Sequence, residues 1–294
     1  MASTVLKLSC PDRVGLLAQL TGFVAAHGGN LVEVHQFTDP LTKWFFVRMA
    51  IDTESLCFGD SSASTSEFGL KALRKAFAPL GEELKAEWTL RDARQPKRAV
   101  IMVSKADHCL TDLLGRWRTR EMPIEIPLVI GNHDDLRPLV EREGIPFERV
   151  PVTPETKAEA FEKMQTLFAK AEADVVVLAR YMQVIPSQLC EEWHGRIINI
   201  HHSFLPSFAG ANPYRRAYER GVKLIGATCH YATPELDEGP IIDQEVVRVE
   251  HFHTPDDLLR LGRDCERLAL ARGVRYHVDD RVMMHGNRSI VFRD

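Results

Sequence analysis

The segment Asn199–Gly210, NIHHSFLPSFAG, ends an apolar run on an asparagine and two adjacent histidines, then enters a loop marked by proline and glycine. A second polar run, CHYATPELDEGPIIDQ, covers Cys229–Gln244 and sets Asp237 in an acidic turn just before Gly239-Pro240. Asparagine, histidine and aspartate together suit acyl transfer from an amide-like donor. The carboxylate can orient the imidazole or raise its pKa. The imidazole can shuttle protons, and the amide N–H can stabilise a developing oxyanion. Water can attack directly, so no nucleophilic serine or cysteine is required.

Alternation along a strand puts Asn199 and His201 on one face and His202 on the other. This favours His201 as the reacting imidazole, with His202 as its neighbour. Each residue also has a plainer local reading: a strand-end histidine that packs, and an aspartate that forms a turn before glycine. The spacing matches no standard zinc motif such as H-E-x-x-H, and the expectation is no metal and no cofactor. His251 and His253 could share a metal ion, but they follow a strand-like run and read as solvated. Cys229 reads as a small buried hydrophobe in a strand.

Two units are expected to carry these residues. In the first, TVLKLSC alternates as a half-buried strand does. PDRVGLLAQLTGFVAAHGGN then reads as a helix capped by Asp12, with Val14, Leu17, Ala18, Thr21 and Val24 near helical spacing and Gly28-Gly29 as its stop. NLVEVHQFTD and KWFFVRMAID form a strand pair across a PLT turn, and CFGDSSASTS is a polar loop. EFGLKALRKAFAPLG is an amphipathic helix and EELKAEWTL a closing strand. This is the split β-α-β order of a ferredoxin-like sandwich. The expected boundaries are 1–91 for this unit, 92–98 for a charged linker and 99–294 for the second unit.

In the second unit, RAVIMVS, EIPLVIGN, ADVVVLAR, RIINIH and KLIGATCHYA are near-continuous apolar runs separated by helical segments. Such runs suit strands covered on both faces of a mostly parallel, Rossmann-like α/β sheet. Ligands bind beyond the carboxyl ends of such strands, where both NIHH and the ARYMQ that follows DVVVL are expected.

The 294 residues are 45% hydrophobic and 27% charged with a net charge of -4. No positive field is present to hold nucleic acid. Six cysteines without a C-x-x-C pair fit reduced thiols and a cytoplasmic setting. The N-terminus lacks the apolar region of a signal peptide, and no run reaches the length of a membrane span. The expected partners are small molecules or other chains.

The run from NIHHSFLPSFAG to LDEGPIIDQ closely resembles the 10-formyltetrahydrofolate hydrolase and transferase superfamily. Within it the chain resembles the formyltetrahydrofolate deformylase family most. CPDRVGLLAQLTGFVAAHGGN resembles the opening of an ACT domain, and VSKADHCLTDLLGRWR and PLVIGNHDDLRPLVEREGIPF resemble the first strands and helices of the formyltransferase-like domain. The AGANPYRR portion departs in detail from the usual pattern. The resemblance implies Asn199, His201 and Asp237 as catalytic residues. It implies that Met182, Gln183, Val184, Ile185, Ile198 and Thr233 contact the pteridine of a folate substrate. The implied reaction is 10-formyltetrahydrofolate plus water giving tetrahydrofolate and formate, which supplies purine synthesis and balances one-carbon folate pools.

ACT domains commonly pair and bind small amino acids. Asp12, Arg13, Gly15 and Asn30 are the residues expected at an effector site, beside a competing reading as a dimerisation surface, and the chain is expected to form a homo-oligomer. Two other functions stay open: a formyltransferase with an amine acceptor, and an amino-acid sensor with an inactive catalytic domain. A phosphorylated amine would need a glycine-rich loop after the first strand of the second unit. Here VSKADHCLTDLL has no glycine before Gly115, although Ser104, Lys105 and His108 could contact an anion.

Overall fold

The computed structural model describes residues 4–52, 67–206 and 213–293. The chain divides into two compact units: Met1–Gln95 with Asp279–Met283 and Phe292–Asp294, and Pro96–Val278 with Met284–Val291. The C-terminal pieces 279–283 and 292–294 therefore go with the first unit, unlike the single boundary expected near 92–98. CFGDSSASTS and SFAGAN lie outside the described residues.

The first unit runs β1 (Thr4–Pro11), α1 (Leu16–Ala26), β2 (Asn30–Asp39), β3 (Trp44–Asp52), α2 (Glu67–Glu83) and β4 (Glu87–Asp92). Its sheet has the order β2-β3-β1-β4, with every pair antiparallel, as a ferredoxin-like sandwich requires. β1 is buried nearly throughout and not only on alternate residues: Leu6 and Leu8 pack in the core, while on the opposite face Lys7 Nζ donates to the Val282 carbonyl of the C-terminal segment. Leu6, Leu8, Val47, Met49, Leu73 and Phe77 form the core with α1.

Two expectations for α1 need correction. The helix starts at Leu16, and its cap is Gly15 in the left-handed region (φ 89°), not Asp12. Its buried stripe is Leu16, Leu20 and Val24, strict i,i+4 spacing, while Val14 is fully exposed and Leu17 points outward. Glycine relieves the Cβ strain of that φ, which lets the chain leave β1 and enter the helix one residue before the core stripe begins.

The second unit carries β5 (Lys97–Val103), α3 (His108–Arg118), β6 (Ile124–Glu125), β7 (Val129–Gly131), α4 (Arg137–Arg142), β8 (Phe147–Arg149), α5 (Lys157–Lys170), β9 (Val175–Ala179), α6 (Ser187–Glu192), β10 (Ile197–His201), α7 (Pro213–Arg220), β11 (Leu224–Tyr231), β12 (Ile241–Arg248) and α8 (Pro255–Val278). A short ribbon of β13 (Val282–His285) and β14 (Arg288–Val291) follows. Lys97 and Arg98 belong to β5, so the expected linker is shorter than drawn. The sheet order is β12-β11-β10-β9-β5-β7-β8, with β6 beside β5. β8, β7, β5, β9 and β10 are parallel, while β11 and β12 are antiparallel additions. KLIGATCHYA, placed in the parallel set by its apolar run, is thus antiparallel. Burial on both faces gives the same sequence signal in either direction.

The chain reverses direction across the sheet between β5 and β9, which opens a crevice at the carboxyl ends of these strands. Val100, Met102, Val176, Leu178, Phe161, Met164 and Phe168 build the core on one face of the sheet. α8 packs against β11, β12 and β10. At Gly273 a Cβ would run into Cys229 Sγ, so this glycine sets how closely α8 approaches β11. No helix among the described residues is long and apolar enough to cross a membrane.

Overpacking a tight core contact costs about 1–3 kcal/mol. Gly273→Ala is expected to lower stability by that order in urea unfolding. Gly273→Ala combined with Cys229→Ala should recover most of the loss, since the smaller side chain frees the space; equal losses in both backgrounds would contradict the contact.

Candidate active site

His201 is the last residue of β10, buried to 6% exposure, and lines a cavity of about 670 Å³. Its Nδ1 lies 3.3 Å from Asp237 Oδ2, and its buried Nε2 has no hydrogen-bond partner among the described residues. Two residues earlier on the same strand, Asn199 also lines the cavity. The strand register places Asn199 opposite His230 on β11. Directly opposed residues project to the same side of a sheet, and Asn199 Nδ2 lies 3.1 Å from His230 Nε2. His230 Nε2 is also 3.8 Å from Asp237 Oδ1.

Asp237 reaches this cluster from the loop between β11 and β12. Its φ is 59°, a left-handed conformation that aspartate tolerates better than most residues. The loop is held closed at Gly239, where a Cβ would strike the Tyr231 carbonyl oxygen and lie 3.0 Å from Thr233 Cγ2. A register shift between Cys229 and His230 marks a bulge in the β11–β12 pair at the same place. Bulges re-aim side chains beside functional sites.

The electrostatics follow from burial and partners. Burial alone would raise the Asp237 carboxyl. The His201 hydrogen bond and charge outweigh it with help from His230 and His202, so its pKa falls below the usual carboxylate value. Burial pushes His230 down, against smaller opposing contributions from the Tyr231 carbonyl and Asp237. His202 is pushed down to about 4, by burial first and then by Arg180 and His201. The site therefore holds one charged carboxylate among imidazoles, two of which burial disfavours as cations.

His202 does not turn away from the cavity as strand alternation suggested. β10 ends at His201, and alternation ends with it, so His202 also lines the cavity, with its ring centroid 5.0 Å from that of His201. Met182, Gln183, Val184, Ile185 and Thr233 line the cavity; Ile198 does not. Ile198 is wholly buried between Val177 and Tyr231 in the sheet. In the first unit, Arg13 is spent on Gln19 (3.0 Å) and Glu83 (2.9 Å), and Asn30 opens β2 opposite Asp52. Asp12 is exposed, and the backbone at Gly15 faces open space.

A second group was only partly foreshadowed by the sequence, which offered His108 for an anion and set ARYMQ at a strand end but gave no role to Glu266 or Tyr214. Glu266, on α8, is 1% exposed. It accepts hydrogen bonds from Tyr214 Oη (2.7 Å) and His108 Nε2 (2.7 Å). Arg180 Nε lies 3.2 Å away. Burial would raise the Glu266 pKa, but His108 and Arg180 lower it. Arg180 stands just past β9 at φ 61° and lines the cavity with Tyr214. Gly262 leaves room for the Tyr214 ring against α8. His108, Cys109 and Glu266 bring potential ligand atoms within 4.8 Å of one another. The donor set does not fit a metal ion: Glu266 already accepts from two donors, Arg180 adds a cation beside it, and burial raises the Cys109 thiol pKa. His253 Nδ1 accepts the Glu250 backbone N–H, so its local partner is a turn.

Family models for the formyl transferase and ACT domains match residues 97–274 and 4–56. A formyltetrahydrofolate deformylase of Bacillus subtilis is 46% identical over 288 residues, which are 98% of this chain and 93% of the relative. A solved formyltetrahydrofolate deformylase from Pseudomonas syringae is 49% identical and superposes with a TM-score of 0.93, covering 99% of this chain and 94% of that one. A phosphoribosylglycinamide formyltransferase from Anaplasma phagocytophilum is 30% identical with a TM-score of 0.62, covering 68% of this chain and 96% of its own.

An unperturbed histidine takes its proton near 6.5 and His202 near 4. The unfolded chain then binds the proton first, so stability falls as pH drops through that window. In a proton NMR titration the His202 ring is expected to titrate near 4. Arg180→Met should move it upward while burial keeps it below 6.5; no movement would mean that Arg180 does not act on this ring.

Proposed function

Because the chain belongs to the formyltetrahydrofolate deformylase family, we propose that Asn199, His201 and Asp237 are the residues with which it cleaves its substrate. It hydrolyses 10-formyltetrahydrofolate to tetrahydrofolate and formate. The observation that carries the assignment of residues is the buried Nε2 of His201, without a hydrogen-bond partner among the described residues, whose other nitrogen is held by Asp237 at 3.3 Å. A ring tethered at Nδ1 presents Nε2 to the cavity in one tautomer.

In this reading Asp237 accepts the Nδ1–H of His201 and orients the attacking water. The water oxygen bonds to the formyl carbon, and the carbonyl electron pair moves onto oxygen. His201 takes the water proton at Nε2. The imidazolium and the Asn199 amide N–H then face the oxyanion. Collapse re-forms the carbonyl, the C–N10 bond breaks, and the simplest proton balance returns the His201 proton to N10. Met182, Gln183, Val184, Ile185 and Thr233 would hold the pteridine, with their backbone groups at its polar edge. The loop after β5 has no glycine before Gly115, so it lacks the close backbone approach that a phosphorylated amine would need, which favours water as the acceptor.

The ACT unit is assigned an amino-acid effector site around Asp12, Arg13, Gly15 and Asn30, and paired copies of it would make the chain a homo-oligomer. The left-handed Gly15 ahead of α1 supports this, since its backbone can be approached closely. A cytoplasmic enzyme of this kind would supply formate to purine synthesis.

Formate release from 10-formyltetrahydrofolate without added amine tests the reading. Asp237→Asn and Asn199→Ala are each expected to lower kcat by about 10²–10³-fold, the loss typical of an oxyanion donor or a positioned acid–base group. Wild-type rates in either variant would remove that residue from the mechanism. Gly239→Ala should cost activity by displacing Asp237 while far-ultraviolet circular dichroism stays unchanged; full activity would show that the loop need not be tight.

A further inference from the structure

His230 is 1% exposed and touches both Asn199 and the approach to Asp237. We propose that His230 is a positioning residue that locks the Asn199 amide so that its N–H, and not its carbonyl, faces the formyl oxygen. The inference rests on the reading of Asn199 as the oxyanion donor.

The argument is one of donors and acceptors. His230 Nδ1 lies 2.9 Å from the Tyr231 backbone oxygen. A carbonyl oxygen can only accept, so Nδ1 carries the proton. Burial keeps the ring neutral, which leaves Nε2 as a bare lone pair. The atom 3.1 Å from it must therefore donate, and on Asn199 that is Nδ2–H. Asp237 Oδ1, at 3.8 Å, is too distant to share a hydrogen bond with Nε2.

A flipped amide would set Asn199 Oδ1 against this lone pair, two acceptors about 3 Å apart with no proton between them. One Nδ2–H is used by His230, so the second is left for the cavity that Asn199 lines. An asparagine alone cannot distinguish its two ends by shape, because oxygen and nitrogen have nearly the same size. The tautomer fixed by Tyr231 supplies that distinction. The groups facing His230 are Asn199 and His201 from β10, Asp237 from the β11–β12 loop and its own neighbour Tyr231.

The test is a double-mutant cycle on formate release. His230→Leu removes the acceptor and is expected to lower kcat at least about tenfold, a part of what an oxyanion donor contributes, with KM within about twofold. His230→Gln, whose carbonyl can accept from Asn199, should recover most of it. In an Asn199→Ala background His230→Leu should have no further effect. The same fold-loss in both backgrounds, or a rise in KM alone, would overturn the lock while leaving Asn199 in place. A wild-type kcat in Asn199→Ala would instead remove the oxyanion reading, and the lock with it. Should His230→Leu not fold, ¹⁵N NMR of the wild-type protein decides: Nε2 of His230 is expected unprotonated at neutral pH, and a protonated Nε2 would refute the proposal.

Discussion

A half-buried carboxylate must keep its charge, and the second unit is arranged around that constraint. Asp237 loses water on entering the cavity and regains stabilisation only from the His201 hydrogen bond and the polar rings beside it. Removing a charge from water costs several kcal/mol unless partners replace the water. The partners must stand in fixed places, so they are drawn from sheet strands, while the carboxylate comes from the loop that closes over them. β10 contributes Asn199 and His201, β11 contributes His230, and the tight turn at Gly239 delivers Asp237.

The same logic recurs at Glu266. This buried carboxylate is supported by Tyr214, His108 and Arg180, from three other segments of the unit. Its position on α8 ties that helix to the carboxyl ends of the strands, and Gly262 and Gly273 let the helix sit close enough. Arg180 joins the two clusters, since it approaches Glu266 and lowers the His202 pKa. Arg180 and His201 thus line the cavity with buried nitrogens that have no hydrogen-bond partner among the described residues, beside carboxylates that are held by theirs.

Local chemistry is visible in a sequence when it follows short-range rules. The order of strands and helices in the first unit was legible because hydrophobic period and turn residues are local signals. The start of α1 was not, because Asp12 satisfies every local preference for a cap, and the core decided for Gly15 and Leu16 instead. β11 was legible as a strand but not as an antiparallel one, since burial on both faces erases the difference. α8 was missed: its buried residues include glycines, a cysteine and a glutamate, which an apolar-stripe search does not count.

By itself, the sequence determined that Asn199 and His201 share a strand end and that Asp237 lies in a tight turn, because alternation and turn chemistry act over a few residues. Their types and order also carried the family resemblance. Only the tertiary structure decided that His230 stands opposite Asn199, that His202 joins the cavity and that Ile198 does not. It also brought Arg180, Tyr214, His108 and Glu266 together. Strand register and helix packing set those contacts, and both depend on residues far apart in the chain. Asn199 and His230 are 31 positions apart and His108 and Glu266 are 158 apart, separations at which no local pattern reports a contact.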